Sequence, residues 1–401
     1  MRRLYTKRML PSALRPRTVL LLLTFALVPA LLTGQRGGRA AGSPSPGGAN
    51  PDGSLRPTPP VTSLFTQDAW TEYSILAPGT EAFRVKFLPE ESRVGATELV
   101  NGTRGGSEGS DIEVFDPRTG EALPFTYKED SPDVHAIHAK LPRPVPAGGV
   151  GRVLIYKTYK DARTYMMNGK DIVWVRSLAG YRLGVVLPRG YGFVSSNVAA
   201  QLGVMPDGRL RLMFANPSGQ ANPVTIHARP SATPFQPARF VDMFYDDLKT
   251  LYDLGAPESH AVHVEQIYSD YRKGAHARLD SLSYLDLKDL RVTDLDTADV
   301  LPVSGGAAKL AVPITVDDQS VHLKITGTLT DASYHADKDG LIFERTLKGL
   351  RNTVLLPAGY EVESVSQSGT IGEREGRAFV ALINLNSENS YRASIHARKT
   401  K

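Results

Sequence analysis

Two arginines stand out among the side chains able to do chemistry. Arg176 lies in Ile172-Val-Trp174-Val-Arg176-Ser-Leu178, and Arg345 in Leu341-Ile-Phe343-Glu-Arg345-Thr-Leu347. In an extended chain alternate residues share a face, which sets each guanidinium on an apolar face beside Trp174 and Leu178, or Phe343 and Leu347. A charge there must find an acceptor or reach solvent at the sheet edge. Asp116 and Asp294, or Asp111 and Asp289, are the carboxylates the sequence offers. The functional reading is an anion or carboxylate site. The plainer reading is an ion pair that fixes strand register, because buried charges are generally paired. Arg182 and Arg351, six residues further along, and His227 and His396, near the ends of two later matching segments, complete the candidate binding set.

Other reactive residues form weaker patterns. His135 and His138 are three apart, as are His260 and His263, and that spacing points each pair to opposite faces of a strand. His263 and Glu265 could share a face, yet no set reaches the three or four ligands of a zinc site. Asp331, His335, Asp337, Asp339 and Gly340 make an acidic turn that could hold calcium, but without the alternating ligands and closing glutamate of a calcium loop. A solvated hairpin tip is the simpler expectation. There is no His-Glu-x-x-His and no phosphate-binding glycine loop. Gly102 to Gly109 is glycine-rich but runs into a strand-like segment, with no helix start to hold a phosphate. No catalytic, cofactor or metal residue is assigned.

Self-comparison says more. Phe65 to Tyr73 runs parallel to Phe244 to Tyr252, and Asp111-Ile-Glu-Val114-Phe-Asp116 to Asp289-Leu-Arg-Val292-Thr-Asp294. Arg176-Ser-Leu178-Ala-Gly180-Tyr-Arg182 matches Arg345-Thr-Leu347-Lys-Gly349-Leu-Arg351. Val185-Val-Leu187-Pro188 matches Val354-Leu-Leu356-Pro357, and Ile-His-Ala-Arg closes both copies at 226–229 and 395–398. The repeat also decides a local ambiguity. Pro237 to Leu254 alone looks helical, but residues 244–252 match 65–73, which have no helical period, so only a short helix or irregular linker is expected before about residue 247. Alternation in Ala82 to Phe87, and apolar runs at 153–156, 172–175, 185–187 and 210–214, predict strands. Asp207-Gly208 and Glu375-Gly376 predict hairpin turns.

Composition narrows the class. The 401 residues are 41% hydrophobic and 22% charged, with no cysteine, which excludes disulfides, thiolate metal sites and a cysteine nucleophile. A pI near 9.2 suggests nucleic acid, but residues 1–40 hold eight basic and no acidic residues. Without those eight charges the formal +5 becomes −3. The remainder has no basic stripe for phosphates. The basic stretch Met1 to Arg17, the apolar run Val19 to Leu32 and the small residues after it have the three-part order of a secretory signal peptide. Arg2-Arg3-Leu4-Tyr5-Thr6-Lys7 resembles the twin-arginine export motif, lacking the usual polar residue before it.

These readings converge on an all-β chain: a signal peptide over 1–34 (alternatively an uncleaved anchor), a Pro/Gly/Ser-rich tether over 35–63, and two tandem homologous β-sandwich domains. The domains, immunoglobulin-like or larger, span 64–230 and 244–400, joined by a linker at 231–243. The expected function is a non-catalytic exported protein, periplasmic or extracellular, that binds a protein or polysaccharide of the cell envelope. It takes no cofactor and no nucleic acid, and meets the membrane only if the leader stays as an anchor. The alternatives are an envelope-polymer hydrolase with its site between the domains, and a self-assembling structural subunit. Unpaired carboxylates or histidines in an interdomain cleft would favour the hydrolase.

Overall fold

The computed structural model describes residues 70–400 apart from 104–106, 132–133, 179–181, 216–221, 234–246, 271–275, 280–285, 316–318 and 385–389. The expected leader and tether, and all but residues 231–233 of the expected linker, lie outside the described residues. What is described is nearly all β, with one short 3-10 turn at Pro257–Ser259.

The first half holds β1 (Trp70–Ile75), β2 (Ala82–Leu88), β3 (Glu98–Gly102), β4 (Glu108–Phe115), β5 (Phe125–Ser131), β6 (Val134–Lys140), β7 (Leu154–Lys160), β8 (Tyr165–Asn168), β9 (Asp171–Leu178), β10 (Arg182–Val186), β11 (Tyr191–Ser196), β12 (Gln201–Val204), β13 (Leu210–Ala215) and β14 (Asn222–Pro230). The second holds β15 (Asp247–Leu254), β16 (Ala261–Asp270), β17 (His276–Leu279), β18 (Lys288–Asp294), β19 (Val303–Ser304), β20 (Ala307–Ile314), β21 (Val321–Thr330), β22 (Tyr334–Asp337), β23 (Gly340–Lys348), β24 (Arg351–Leu355), β25 (Tyr360–Val365), β26 (Gly369–Arg374), β27 (Arg377–Ile383) and β28 (Ser390–Lys399).

The pairing order of the first half recurs in the second. A large sheet runs β12-β13-β10-β1-β2-β7-β4, a second β8-β9-β14-β11 and a third β3-β6-β5. The second half repeats these as β26-β27-β24-β15-β16-β21-β18, β22-β23-β28-β25 and β17-β20-β19, with Val300–Leu301 added beside β18. One parallel contact recurs in each large sheet, Trp70 to Ser74 of β1 against Arg182 to Val186 of β10, and Lys249 to Asp253 of β15 against Arg351 to Leu355 of β24. The predicted turns join β12 to β13 and β26 to β27. Glu375 and Gly376 both have positive φ (53° and 74°), as a two-residue turn matched to strand twist requires.

Equivalent bulges mark equivalent strands. Register slips between Ser110 and Glu113 in β4 and between Lys288 and Arg291 in β18. Asp111 and Asp289 occupy those sites with φ of 49° and 54°, a region aspartate tolerates better than most side chains. Asp116 and Asp294 accept the backbone N–H two residues on, from Arg118 at 2.9 Å and Asp296 at 3.0 Å. The four shared aspartates therefore shape a bulge and a turn. They are not the partners of Arg176 and Arg345 that the sequence suggested.

Each half has a core between its large and four-stranded sheets. Tyr73, Phe83, Val85, Leu183 and Leu212 meet Tyr165, Trp174, Val224 and Ile226 in the first, and Tyr252, Val264, Val354 and Val380 meet Tyr334, Phe343 and Ile395 in the second. A smaller core lies under each three-stranded sheet. The two halves interlock through polar groups. Arg152 reaches Asp296 by two hydrogen bonds of 2.7 and 2.5 Å and Ser320 Oγ at 3.0 Å, and Arg118 reaches Asp294 at 3.0 Å. Backbone bonds run from Ser320 N to Pro117 O and from Val150 N to Leu295 O, and His322 lies 3.6 Å from Glu90. Gly149 sits so close that a Cβ would meet Leu295 O at 2.4 Å.

Both members of the Arg152–Asp296 pair are almost wholly buried. Burial alone would raise the Asp296 carboxyl, but Arg152, then His322 and Arg143, hold it below the ordinary aspartate range. Replacing Arg152 by Ala would strand that carboxylate. Breaking a buried pair this way costs about 3–5 kcal/mol, so urea unfolding of Arg152→Ala should show a loss of that order. A change under about 1 kcal/mol would mean that the junction carries little of the stability.

Candidate functional site

The inner face of β7 is where the two halves part company. Alternation places Ile155, Lys157 and Tyr159 toward the core, and register sets Lys157 beside Val85 and Tyr159 beside Phe83 of β2. Lys157 is 4% exposed. Its ammonium donates to Asn101 Oδ1 at 2.5 Å and lies 4.8 Å from the Tyr159 ring centroid. Arg176 arrives from β9 in the facing sheet, two residues past Trp174. Its guanidinium carbon sits 5.2, 5.4 and 5.6 Å from the ring centroids of Tyr73, Phe83 and Tyr159. Nη1 of Arg176 is buried without a hydrogen-bond partner among the described residues. Thr103 Oγ1 donates to Tyr127 Oη at 3.4 Å near the same ring. Among the described residues no carboxylate pairs with either cation.

Electrostatics follow from that geometry. Burial first, and the Arg176 charge second, push the Lys157 ammonium down to about 7 from its ordinary 10.5. Burial pushes the Tyr159 phenol up against the opposing pull of Thr103 and Arg176. Lys157 is thus a switchable group near neutral pH, an ammonium donor or a free amine, whereas the Arg176 guanidinium presents a fixed donor fork.

The matching positions in the second half are discharged. Gly327 pairs with Val264 as Lys157 does with Val85, and Leu329 takes the place of Tyr159. A Cβ at Gly327 would meet Leu287 Cβ and Lys288 O at 2.8 Å, so the space is filled. Arg345 bonds Asp331 at 2.5 Å, and Asp331 also accepts Ser333 N and Oγ at 2.9 and 2.6 Å. Ser333 and Arg345 outweigh burial and lower the Asp331 carboxyl. Arg345, Asp331, Ser333, Glu344, Thr346 and Arg392 line an open cleft of about 380 Å³, in which Arg392 pairs with Glu344 at 2.7 Å. Asp331 is therefore the arginine's partner rather than part of an acidic hairpin tip, which lies beyond it at Lys338 and Asp339. Its counterpart Asp161 is engaged with Thr164, Ser107 and Arg163.

The other candidates disperse. Arg182 and Arg351 are 1% and 3% exposed within the parallel strand pairs, so neither presents a guanidinium at the surface. His227 is exposed and His396 half-buried, opposite the buried Ile226 and Ile395. His227 adds to the lowering of Asp171, chiefly due to Arg229, and His396 to that of Glu344, chiefly due to Arg392. His138 lies between Glu98 and Asp130 at 3.2 and 2.8 Å, while His135 packs on Tyr127. His260 Nδ1 donates to the Tyr334 carbonyl at 2.6 Å. No three His, Asp or Glu side chains among the described residues are placed to hold a metal ion.

No family model matches the chain, and no curated protein matches it. Solved structures that resemble part of it include an aminopeptidase N family protein from Idiomarina loihiensis. That protein is 12% identical, with a TM-score of 0.26, over 39% of this chain and 29% of the other. The chain spans under a third of that protein's length, and a likeness at this level carries no inference.

Lys157 went unnoticed in the sequence because the strand there was read only to Tyr156. Extending it shows a lysine between Ile155 and Tyr159 on the apolar face, the same signal that singled out Arg176. Between pH 7 and 10.5 the unfolded chain holds a proton on this lysine that the folded chain has released. Stability therefore rises with pH across that window, and the cost of the buried charge is fully felt below it. Lys157→Met removes the charge at similar volume. Urea unfolding should find the variant more stable than the parent by at least ~1 kcal/mol at pH 6, with the advantage shrinking toward pH 9.5. A variant less stable at both pH values would overturn this.

Proposed function

We propose that the chain is an exported, non-catalytic binding or scaffold protein of the cell envelope, whose two matched β units act as one rigid body toward a protein or polysaccharide partner. Export rests on the leader's three-part order. If that leader stays uncleaved, it anchors the protein to the membrane.

The observation that carries the binding reading is the state of the junction between the halves. A hydrolytic site there would need carboxylates free to take and give protons. Instead Asp296 faces Arg152, Asp294 faces Arg118, Asp116 faces Arg143 at 3.7 Å and Glu90 faces His322. Asp296, Asp294 and Asp116 are each committed to an arginine, and Asp296 is held ionised, the opposite of what a general acid requires. Units joined by these bonds present a preorganised surface, which lowers the ordering cost of holding an extended partner.

The test is retention on envelope material. The full mature protein, incubated with washed envelope polysaccharide and with envelope protein fractions, should sediment saturably with one of them and release no soluble fragments over hours. Time-dependent release of sugar or peptide would replace this reading with the hydrolase one.

A further inference from the structure

We propose that Lys157 and Arg176 form an oxyanion-binding site in the first half alone, which takes a carboxylate or sulfate group of a ligand. This deepens the binding reading above and rests on it.

Two cations in one apolar interior repel each other and lose hydration, and a fold normally answers with a carboxylate. The second half gives that answer at the equivalent arginine with Asp331, and it has deleted the lysine as Gly327. Among the described residues the first half supplies neither change. Both cations lean on Tyr159, which places them no more than roughly 10 Å apart. Lys157 keeps one hydrogen bond, to Asn101, out of three donors. Arg176 keeps Nη1 buried and unbonded. The rings of Tyr73, Phe83 and Tyr159 hold the guanidinium by cation–π contact, which fixes its direction but gives its N–H groups no acceptor. An oxyanion supplies both the negative charge and the acceptor oxygens. Arg176 is the more exposed of the two and meets the ligand first. Lys157 lies deeper and regains its proton when the anion arrives, so binding takes up a proton above pH 7.

The experiment uses the full mature protein at constant ionic strength in chloride. Sulfate and glucuronate, whose charges do not change between pH 6 and 8, are titrated separately by calorimetry and by the fluorescence of Trp174, whose ring packs on Tyr73 at 5.4 Å and Phe83 at 6.4 Å. Saturable binding of either anion is expected, about tenfold weaker at pH 8 than at pH 6 for a lysine that titrates near 7. Glucuronate alone would identify a carboxylate ligand, sulfate alone a sulfate ester. Arg176→Gln and Lys157→Met should each abolish binding, and the exposed-pair variant Arg229→Gln should not. Lys157→Met keeps the test decisive if Arg176→Gln fails to fold. Absence of saturable binding by both anions, or binding that survives in Lys157→Met with its pH dependence intact, overturns the proposal. If envelope retention persists while both anions fail, only this site falls; if retention fails as well, the binding reading falls with it.

Discussion

A charged side chain enclosed between β-sheets must be met by an opposite charge, by hydrogen bonds, or by a change in its protonation. Most of what distinguishes this molecule follows from how that constraint is met at three places. At the junction Arg152 is fully answered by Asp296 and Ser320. In the second half Arg345 is answered by Asp331. In the first half Arg176 rests on aromatic rings, and Lys157 yields its proton near neutrality. The first two responses stabilise the fold. The third leaves the interior short of negative charge.

The near-identity of the strand order in the two halves makes that difference informative. The parallel contact, the bulges at Asp111 and Asp289, and the aspartate turns at Asp116 and Asp294 recur at matching positions. Against this shared frame the substitutions at two sites are directional. One position of the matched turn is Arg118 in the first half and Asp296 in the second, and these face opposite charges across the junction. On the matched inner strands, Lys157 and Tyr159 stand opposite Gly327 and Leu329. One change joins the halves, and the other reserves a polar interior for one of them.

Much of the fold was legible in the sequence. Alternation gave β2, an apolar run gave β9, and Asp207-Gly208 and Glu375-Gly376 are hairpin turns. The repeat correctly withheld a helix from residues after 247, where β15 begins. The arginine on the apolar face was also legible, because period-two alternation is a local property. Its partner was not. Asp331 sits fourteen residues from Arg345 on another strand connection, and only register brings the two together. The shared aspartates 111, 116, 289 and 294 were misread for the same reason: a conserved-looking charge between two copies can equally mark a backbone conformation. Lys157 was hidden by a strand end drawn four residues too early. The burial of Arg182 and Arg351 was not legible, because burial of the outer face of a large sheet has no signature in a single strand.

The most direct test of the account is the titration of Lys157 itself, followed by carbon-13 NMR of its side chain in the intact protein and assigned by the loss of its signal in Lys157→Met. A midpoint near 7, well below the ordinary lysine value of 10.5, is the result expected of an ammonium enclosed beside Arg176 with no carboxylate among the described residues to balance it. A midpoint near 10.5 would mean that the group is hydrated or paired in solution, and the uncompensated charge on which the oxyanion site stands would not exist.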